Sequence, residues 1–477
     1  MALINCMTAM AAPSDIDIAV PDDLDTVLEN ATPKKYKFSG YIKNETAYRY
    51  NEPRSFTKIR NIGLLNFQYI FNSHVKFYTS AWAYYDVVYD LFDYRTIAAR
   101  DVRDANNPLN FVVQLPEDKD QKREEVREMY FDVYLNNLDM RIGKQYVIWG
   151  VIEGIRVVDE INPMDFRELI IPDLLDYRIP LWTFKADYYH KKTAYEFLWI
   201  PDLKFNKPAP AGSEWELFQV LPNTTKPESF NLKNSEVGFK ITREMLNATF
   251  SLSYFYTWDD YPTTFRVINS AQIRANSQDS LAIFPTYMRM QMFGGTMTKE
   301  ISGNILKAEF AYVKDKYFAL VNKFENGYLA DDGDVKKDSI RAALGYDFSF
   351  WGADISPSVN QTYILNYESA ILDNKISTGF NLFIRKPIQK YSAVFTLLAI
   401  YLVNYQEQYI KPRVTLNLTD HVQITLGADL FYGKRTSFGR KVDPSTPSGL
   451  SDPIQSAQFL GNFRDNKRVD VEFKYNF

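Results

Sequence analysis

Lys467-Arg468-Val469-Asp470-Val471-Glu472-Phe473-Lys474-Tyr475-Asn476-Phe477 stands at the end of the sequence, and its alternation decides the fold. From Val469 to Phe477 every odd position is apolar or aromatic, and the even positions between are charged or polar. Side chains alternate across a strand, so the segment is a ribbon with one greasy and one wet face. A half-buried strand of a soluble sheet reads the same way in isolation. The rest of the chain therefore has to say what wets the greasy face.

Many segments repeat the pattern. In 246–257, Leu246, Ala248, Phe250, Leu252, Tyr254 and Tyr256 oppose Asn247, Thr249, Ser251 and Ser253. In 422–433, Val422, Ile424, Leu426, Ala428, Leu430 and Tyr432 oppose Gln423, Thr425, Gly427 and Asp429. The strands predicted this way are 36–48, 57–72, 74–88, 126–136, 138–149, 181–190, 193–201, 235–243, 246–258, 285–299, 303–313, 339–350, 353–366, 374–386, 388–404, 408–418, 421–434 and 467–477. Tight turns at 72–73, 136–137, 191–192, 352–353 and 418–420 alternate with long polar links at 89–125, 150–180, 202–234, 259–284, 314–338 and 435–466. A sandwich or propeller has no reason to sort its loops in this way, whereas a transmembrane barrel keeps short turns at one end and long loops at the other. The short link at 405–407 does not fit that alternation.

Composition agrees. Of 477 residues, 33 are Tyr and 34 Phe, as suits aromatic girdles around charged, water-facing strand positions. The most apolar run, 391–403, is shorter than the ~20 residues a membrane-crossing helix needs, but enough for a barrel strand. A net charge of −4 without a basic stripe argues against nucleic acid as partner. The expected fold is thus all-β: a transmembrane antiparallel barrel of about 18 strands, with 16 as the alternative count, spanning 36–477. The expected setting is the outer membrane of a Gram-negative bacterium. Its lipid is one partner, and the barrel-assembly machinery, reading the last strand through Phe477, is another. Arg468, Asp470, Glu472 and Lys474 are predicted to face the lumen.

Before the barrel, 1–11 reads as a signal-peptide remnant, apolar and ending in small residues, though it lacks a basic start. It holds the sole cysteine, Cys6, so no intramolecular disulfide can form. The acidic segment 12–35 reads as a periplasmic tail, or as a plug entering the barrel.

Residues 141–190 break the pattern. After the strand come Ile161-Asn162-Pro163-Met164-Asp165-Phe166-Arg167-Glu168 and two more prolines, Pro172 and Pro180. Asn162 and Pro163 predict a helix start, with Phe166, Leu169 and Ile170 on one face. An apolar, proline-bounded loop of this kind is unstable in water, so it is expected to fold into the lumen; a lid over the mouth is the alternative. Asn162, Asp165, Arg167, Glu168, Asp173, Asp176 and Arg178 would then form the pore constriction and sort solutes by charge. Strand 388–404 is apolar on both faces, and 74–88 sets Trp82 and Tyr84 inward; both are expected to be covered by this loop.

Two stretches resemble a known family. Arg141, Gly143, Lys144, Gln145, Trp149 and Gly150, followed by Ile161, Asn162, Pro163 and Asp165, are similar to motifs of the proteobacterial porin-like outer-membrane proteins catalogued as a domain of unknown function. Residues 462–469 resemble that family's entry into its last strand. The resemblance implies a barrel with an inward-folded loop, in a family linked to movement of hydrophobic compounds, and no catalytic residues.

Catalytic chemistry is not legible. His74, His190 and His421 all fall at tight turns on separate strands, which suits neither a triad nor a zinc site. No cofactor, metal ligand or catalytic residue is expected. The sequence reads as a porin-like channel for diffusion of small solutes, hydrophobic ones included. The alternatives are a non-enzymatic sheath or docking barrel in an export, lipid-transfer or electron-transfer complex, and, more remotely, an outer-membrane hydrolase. Oligomeric state is not legible.

Overall fold

Strand Arg468–Asn476 pairs antiparallel with Val422–Tyr432 on one side and with Tyr36–Arg49 on the other, which closes the sheet on itself. The result is a barrel of 18 antiparallel strands, each paired with its neighbours in sequence. The computed structural model describes residues 35–98, 121–172, 174–210, 213–215, 224–268, 281–320, 324–325, 328–329, 332–433 and 460–477. The predicted leader at 1–11, including Cys6, and the segment 12–34 lie outside the described residues.

Burial along the strands is inverted relative to a soluble protein. In Arg468–Asn476 the side chains of Val469, Val471, Phe473 and Tyr475 are 43–48% exposed, whereas Arg468 is 3% and Asp470 7% exposed. Leu252, Phe293, Phe310, Leu344 and Phe380 repeat this on other strands. Apolar side chains outside and charged ones inside are stable only if the outer wall meets hydrocarbon.

All 18 predicted segments are barrel strands. Boundaries moved where polar residues hid a strand: Asn304–Ala319 and Asp334–Phe350 reach further into the predicted 314–338 loop. There Lys316, read as loop, turns inward to pair with Asp259. The turns at Asn136, Leu246-Asn247, Ser302-Gly303 and Trp351-Gly352 have positive φ, the geometry that joins twisted antiparallel strands most tightly. Long links at 87–121, 146–180, 201–235, 259–288 and 433–467 all leave the opposite end. The short link at 403–406 is tied by Asn404, which accepts from Thr378 N and donates to Ile376 O, and it tucks Tyr405 into the lumen.

The core lies inside the barrel and is built on the 146–180 loop. The predicted helix at Asn162 does not form. Asn162 instead clamps the loop, accepting from Val147 N at 2.8 Å and donating to Ile179 O at 2.9 Å. A single 3₁₀ turn follows at Phe166–Glu168, capped by Asp165, and a short helix at Leu174–Tyr177.

Candidate functional site: the loop across the lumen

The loop meets two kinds of wall. On one side Trp149, Ile152, Ile155, Val157, Val158 and Ile161 pack on Leu198, Phe255, Met290, Met292, Ala311 and Val313 from strands Thr193–Ile200, Ala248–Trp258, Arg289–Ile301 and Asn304–Ala319. Glycines make the sockets. A Cβ on Gly238 would lie 2.8 Å from Trp149, and one on Gly294 2.9 Å from Val158. Glu309, on the wall, accepts from the backbone N–H of Val151 at 2.5 Å, Ile152 at 2.7 Å and Val158 at 3.4 Å. Glu160 of the loop pairs with Arg341 at 2.7 Å, and Trp149 Nε1 donates to Glu196 at 2.5 Å. Further along, Met164, Phe166, Leu169, Ile170 and Ile171 cover Leu398, Ile400 and Leu402 of strand Ala393–Leu402, so the loop is the cover that strand needed. Lys411 Nζ donates to Ile171 O at 2.8 Å.

On the other side the contact is ionic. Glu168 is held by both Lys58 and Arg60 of strand Ser55–Asn72. Lys58 also meets Glu45 at 3.2 Å, and Glu45 meets Lys43 at 2.6 Å. Arg60 meets Asp86 at 3.2 Å. Asp165 pairs with Arg123 at 2.8 Å and with its neighbour Arg167 at 2.6 Å. Asp176 pairs with Arg127 at 2.6 Å. From the closing strand, Glu472 and Asp470 pair with Arg413 at 2.5 and 3.5 Å, and Arg468 with Asp429 at 2.8 Å.

These groups surround a cavity of about 60 Å³. It is lined by seven basic and six acidic side chains, so its field is set by their placement rather than by net charge. A volume of this size holds a few waters at most. Trp82 and Tyr84 also line it, buried opposite the charged side of the loop rather than its apolar side. Their partners are cations: Arg60 sits 4.1 Å from the Tyr84 ring centre, and Arg123 and Arg127 sit 5.2 and 5.5 Å from that of Trp82. An aromatic face attracts a cation, so inward aromatics did not require an apolar lid.

Burial alone would raise the Glu168 carboxyl, but Arg60 and Lys58 hold it down, at about 2. Burial likewise opposes ionisation of Asp165, and Arg167 and Arg123 reverse it to below the usual carboxylate range. Glu214, in the 201–235 link, goes the other way: burial pushes it up to about 7 against the pull of Arg49 and Arg468.

Of the residues expected at a constriction, Asp165, Arg167, Glu168 and Asp176 line the cavity. Asn162 and Arg178 are not among its lining; Arg178 is spent on Asp159 inside the loop. Asp173 lies outside the described residues. Arg468, Asp470 and Glu472 line the cavity, and Lys474 sits beyond it, 4.6 Å from the Tyr41 ring centre. Sequence reasoning missed the wall partners Glu45, Lys58, Arg60, Arg123 and Arg127. Their signal was present: Lys43/Glu45, Lys58/Arg60 and Arg123/Glu125/Arg127 are charges at alternate positions of a strand, which puts them on one face.

The family model described as "Protein of unknown function (DUF1302)" matches residues 57–368. No curated protein matches the sequence significantly. Among solved structures, OccAB2 of Acinetobacter baumannii is 9% identical, covering 93% of this chain and 98% of its own, with a TM-score of 0.49. OpdK of Pseudomonas aeruginosa, solved with vanillate, is 6% identical with the same coverage and a TM-score of 0.48. OccK8 (OprE) of Pseudomonas aeruginosa is 9% identical, covers 93% and 98%, and scores 0.45. Likenesses this distant assign no solute.

Proposed function

The chain belongs to the family described as Protein of unknown function (DUF1302), and from that membership and the geometry of its lumen we propose that it is a porin-like channel of the outer membrane. Small solutes pass between the charged side of the 146–180 loop and the wall. The observation that carries this reading is the asymmetry of the loop: its apolar side is closely packed, whereas its acidic side borders a cavity with room for a few waters, walled by ion pairs. Asp165, Arg167, Glu168 and Asp176 act there as the constriction, with Arg60, Arg123 and Arg127 facing them. Below the loop, toward the tight turns, inward side chains such as Asn66, Lys240, Thr298, Lys307 and Thr425 are polar and half-buried, as a wet vestibule requires. The 60 Å³ cavity is too small for an organic solute, so passage needs the ion pairs to exchange partners.

The test is conductance of the purified full chain in a planar bilayer. A channel gives small, stable unitary currents whose ion selectivity changes in Glu168→Gln. Current that never appears, in the wild type or in that variant, contradicts the reading and favours a docking barrel that waits for a partner.

A further inference from the structure

One place in the wall is hollow on both sides. Strands Asp334–Phe350 and Ala353–Ile364 pair without a break from Ser339↔Ile364 to Gly345↔Ser358, and resume in the same register at Phe348↔Ile355. Pro357 sits in the gap. It has no N–H to donate, and a closed barrel has no edge strand on which that loss is harmless. On the lipid side the gap opens on an apolar groove of about 510 Å³, lined by Leu344, Val359, Phe380, Leu382 and Tyr401 among others. On the lumen side it borders a cavity of about 20 Å³ that includes Lys307 and Asp347. Gly345, Pro357, Ser358 and Asn381 line both spaces. Asn381 is 7% exposed, and among the described residues its Nδ2 has no hydrogen-bond partner.

A proline gap by itself does not make such a passage. The ladder between Glu407–Asn417 and Val422–Tyr432 pauses in the same way at Pro412. There the inner side is filled: Asp429 takes Tyr409 at 2.7 Å and Arg468 at 2.8 Å, and Lys411 reaches the loop. At Pro357 the inward neighbour is Gly345, which offers no side chain to fill the space.

We propose that this seam is a binding site for a free long-chain fatty acid, with its hydrocarbon in the outer groove and its carboxyl threaded to Asn381. The groove faces hydrocarbon, which selects an alkyl chain. The orphaned donor selects a head that accepts a hydrogen bond, because a buried N–H without a partner is costly. The inner space admits a group about the size of one water, which fits a carboxyl and excludes a phosphodiester headgroup. Lys307 at that end is paired with Asp347 at 2.7 Å, and Glu153 lines the same space, so the head that fits there is the protonated carboxyl, whose C=O accepts from Asn381. The site goes beyond the channel reading and does not depend on conductance.

The test uses the full chain in phosphatidylcholine vesicles, with a photoreactive sixteen-carbon fatty acid and a phosphatidylcholine carrying the same photoreactive group. The fatty acid should label 344–346, 357–359 and 380–382 saturably, and unlabelled fatty acid should compete where the corresponding alkane does not. Asn381→Leu should weaken this labelling about fivefold, the worth of one hydrogen bond. Gly345→Val should reduce it at least as much; its Cβ would meet Ile152 at 3.5 Å, so the residue fits while closing the passage. The phosphatidylcholine probe should label the outer wall diffusely and ignore both variants. Non-saturable labelling, equal competition by alkane, or saturable labelling by phosphatidylcholine overturns the proposal. The competition arm needs no variant, so it decides the matter even if both substitutions misfold.

Discussion

The same 146–180 loop sets its apolar side on strands within 193–319 and on strand 393–402, and sets Asp165, Glu168 and Asp176 against strands within 36–135, and the two contacts have different physics. Toward Phe255 and Met292 the fit is steric: glycines on the wall admit Trp149 and Val158, and Glu309 satisfies three loop N–H groups that would otherwise be stranded. Toward Arg60 and Arg123 the fit is electrostatic, and each charge has more than one partner. A dry, close-packed contact is costly to open by even a little. A network of shared ion pairs can exchange partners with less loss. One side therefore anchors the loop, and the other is where the proposed channel would open when the ion pairs exchange.

The largest expected effect is on the anchored side. Glu309→Ala strands three N–H groups at a cost of about 3–5 kcal/mol in loop attachment, seen as new protease cleavage between 151 and 158. Phe255→Ala follows: it opens a cavity beside Trp149 and should cost about 3 kcal/mol, measured as a lower Tm in detergent. Glu168→Gln should cost less, about 1–2 kcal/mol, because Lys58 keeps Glu45 and Arg60 keeps Asp86. Its main effect is a shift of selectivity toward anions. If Glu168→Gln exposes the loop to protease as Glu309→Ala does, the contrast between the two sides fails.

The smallest effects are in pH. The Glu168 carboxyl is held at about 2, below its unfolded value. Its contribution is therefore present above the ordinary carboxylate range and lost only as pH falls toward 2. Selectivity should stay flat on that account from pH 8 to 5. Glu214, pushed up to about 7, has the opposite sign. The folded state keeps its proton while the unfolded chain releases it, so stability from this group declines as pH rises from about 4.5 to 7. Glu214→Gln should flatten that slope, a matter of a few degrees in Tm.

The wall was legible because its signal is local. Alternation in 422–432 or 468–476 states both the strand and the face that meets lipid. Direction of the loop was legible from composition, since Val157, Val158, Phe166, Leu169 and Ile170 need a partner that water does not offer. The pairings were not legible. Glu168 and its partners Lys58 and Arg60 are more than a hundred residues apart and meet only because the barrel closes. Asn162 misled for a physical reason: the side chain that caps a helix is equally able to bridge two loop strands, and here Val147 N and Ile179 O were nearer. Lys314-Asp315-Lys316 reads as loop, yet the strand runs through it by a bulge at Asp315, and Lys316 alone of the three turns inward, to Asp259.

The central claim is that the 146–180 loop occupies the lumen and leaves only its charged side open. Single-channel conductance of a variant in which 150–177 is replaced by a short flexible linker tests this most directly. Several-fold larger unitary currents with weakened ion selectivity are expected. Unitary currents equal to those of the full chain would mean that the loop does not stand in the path.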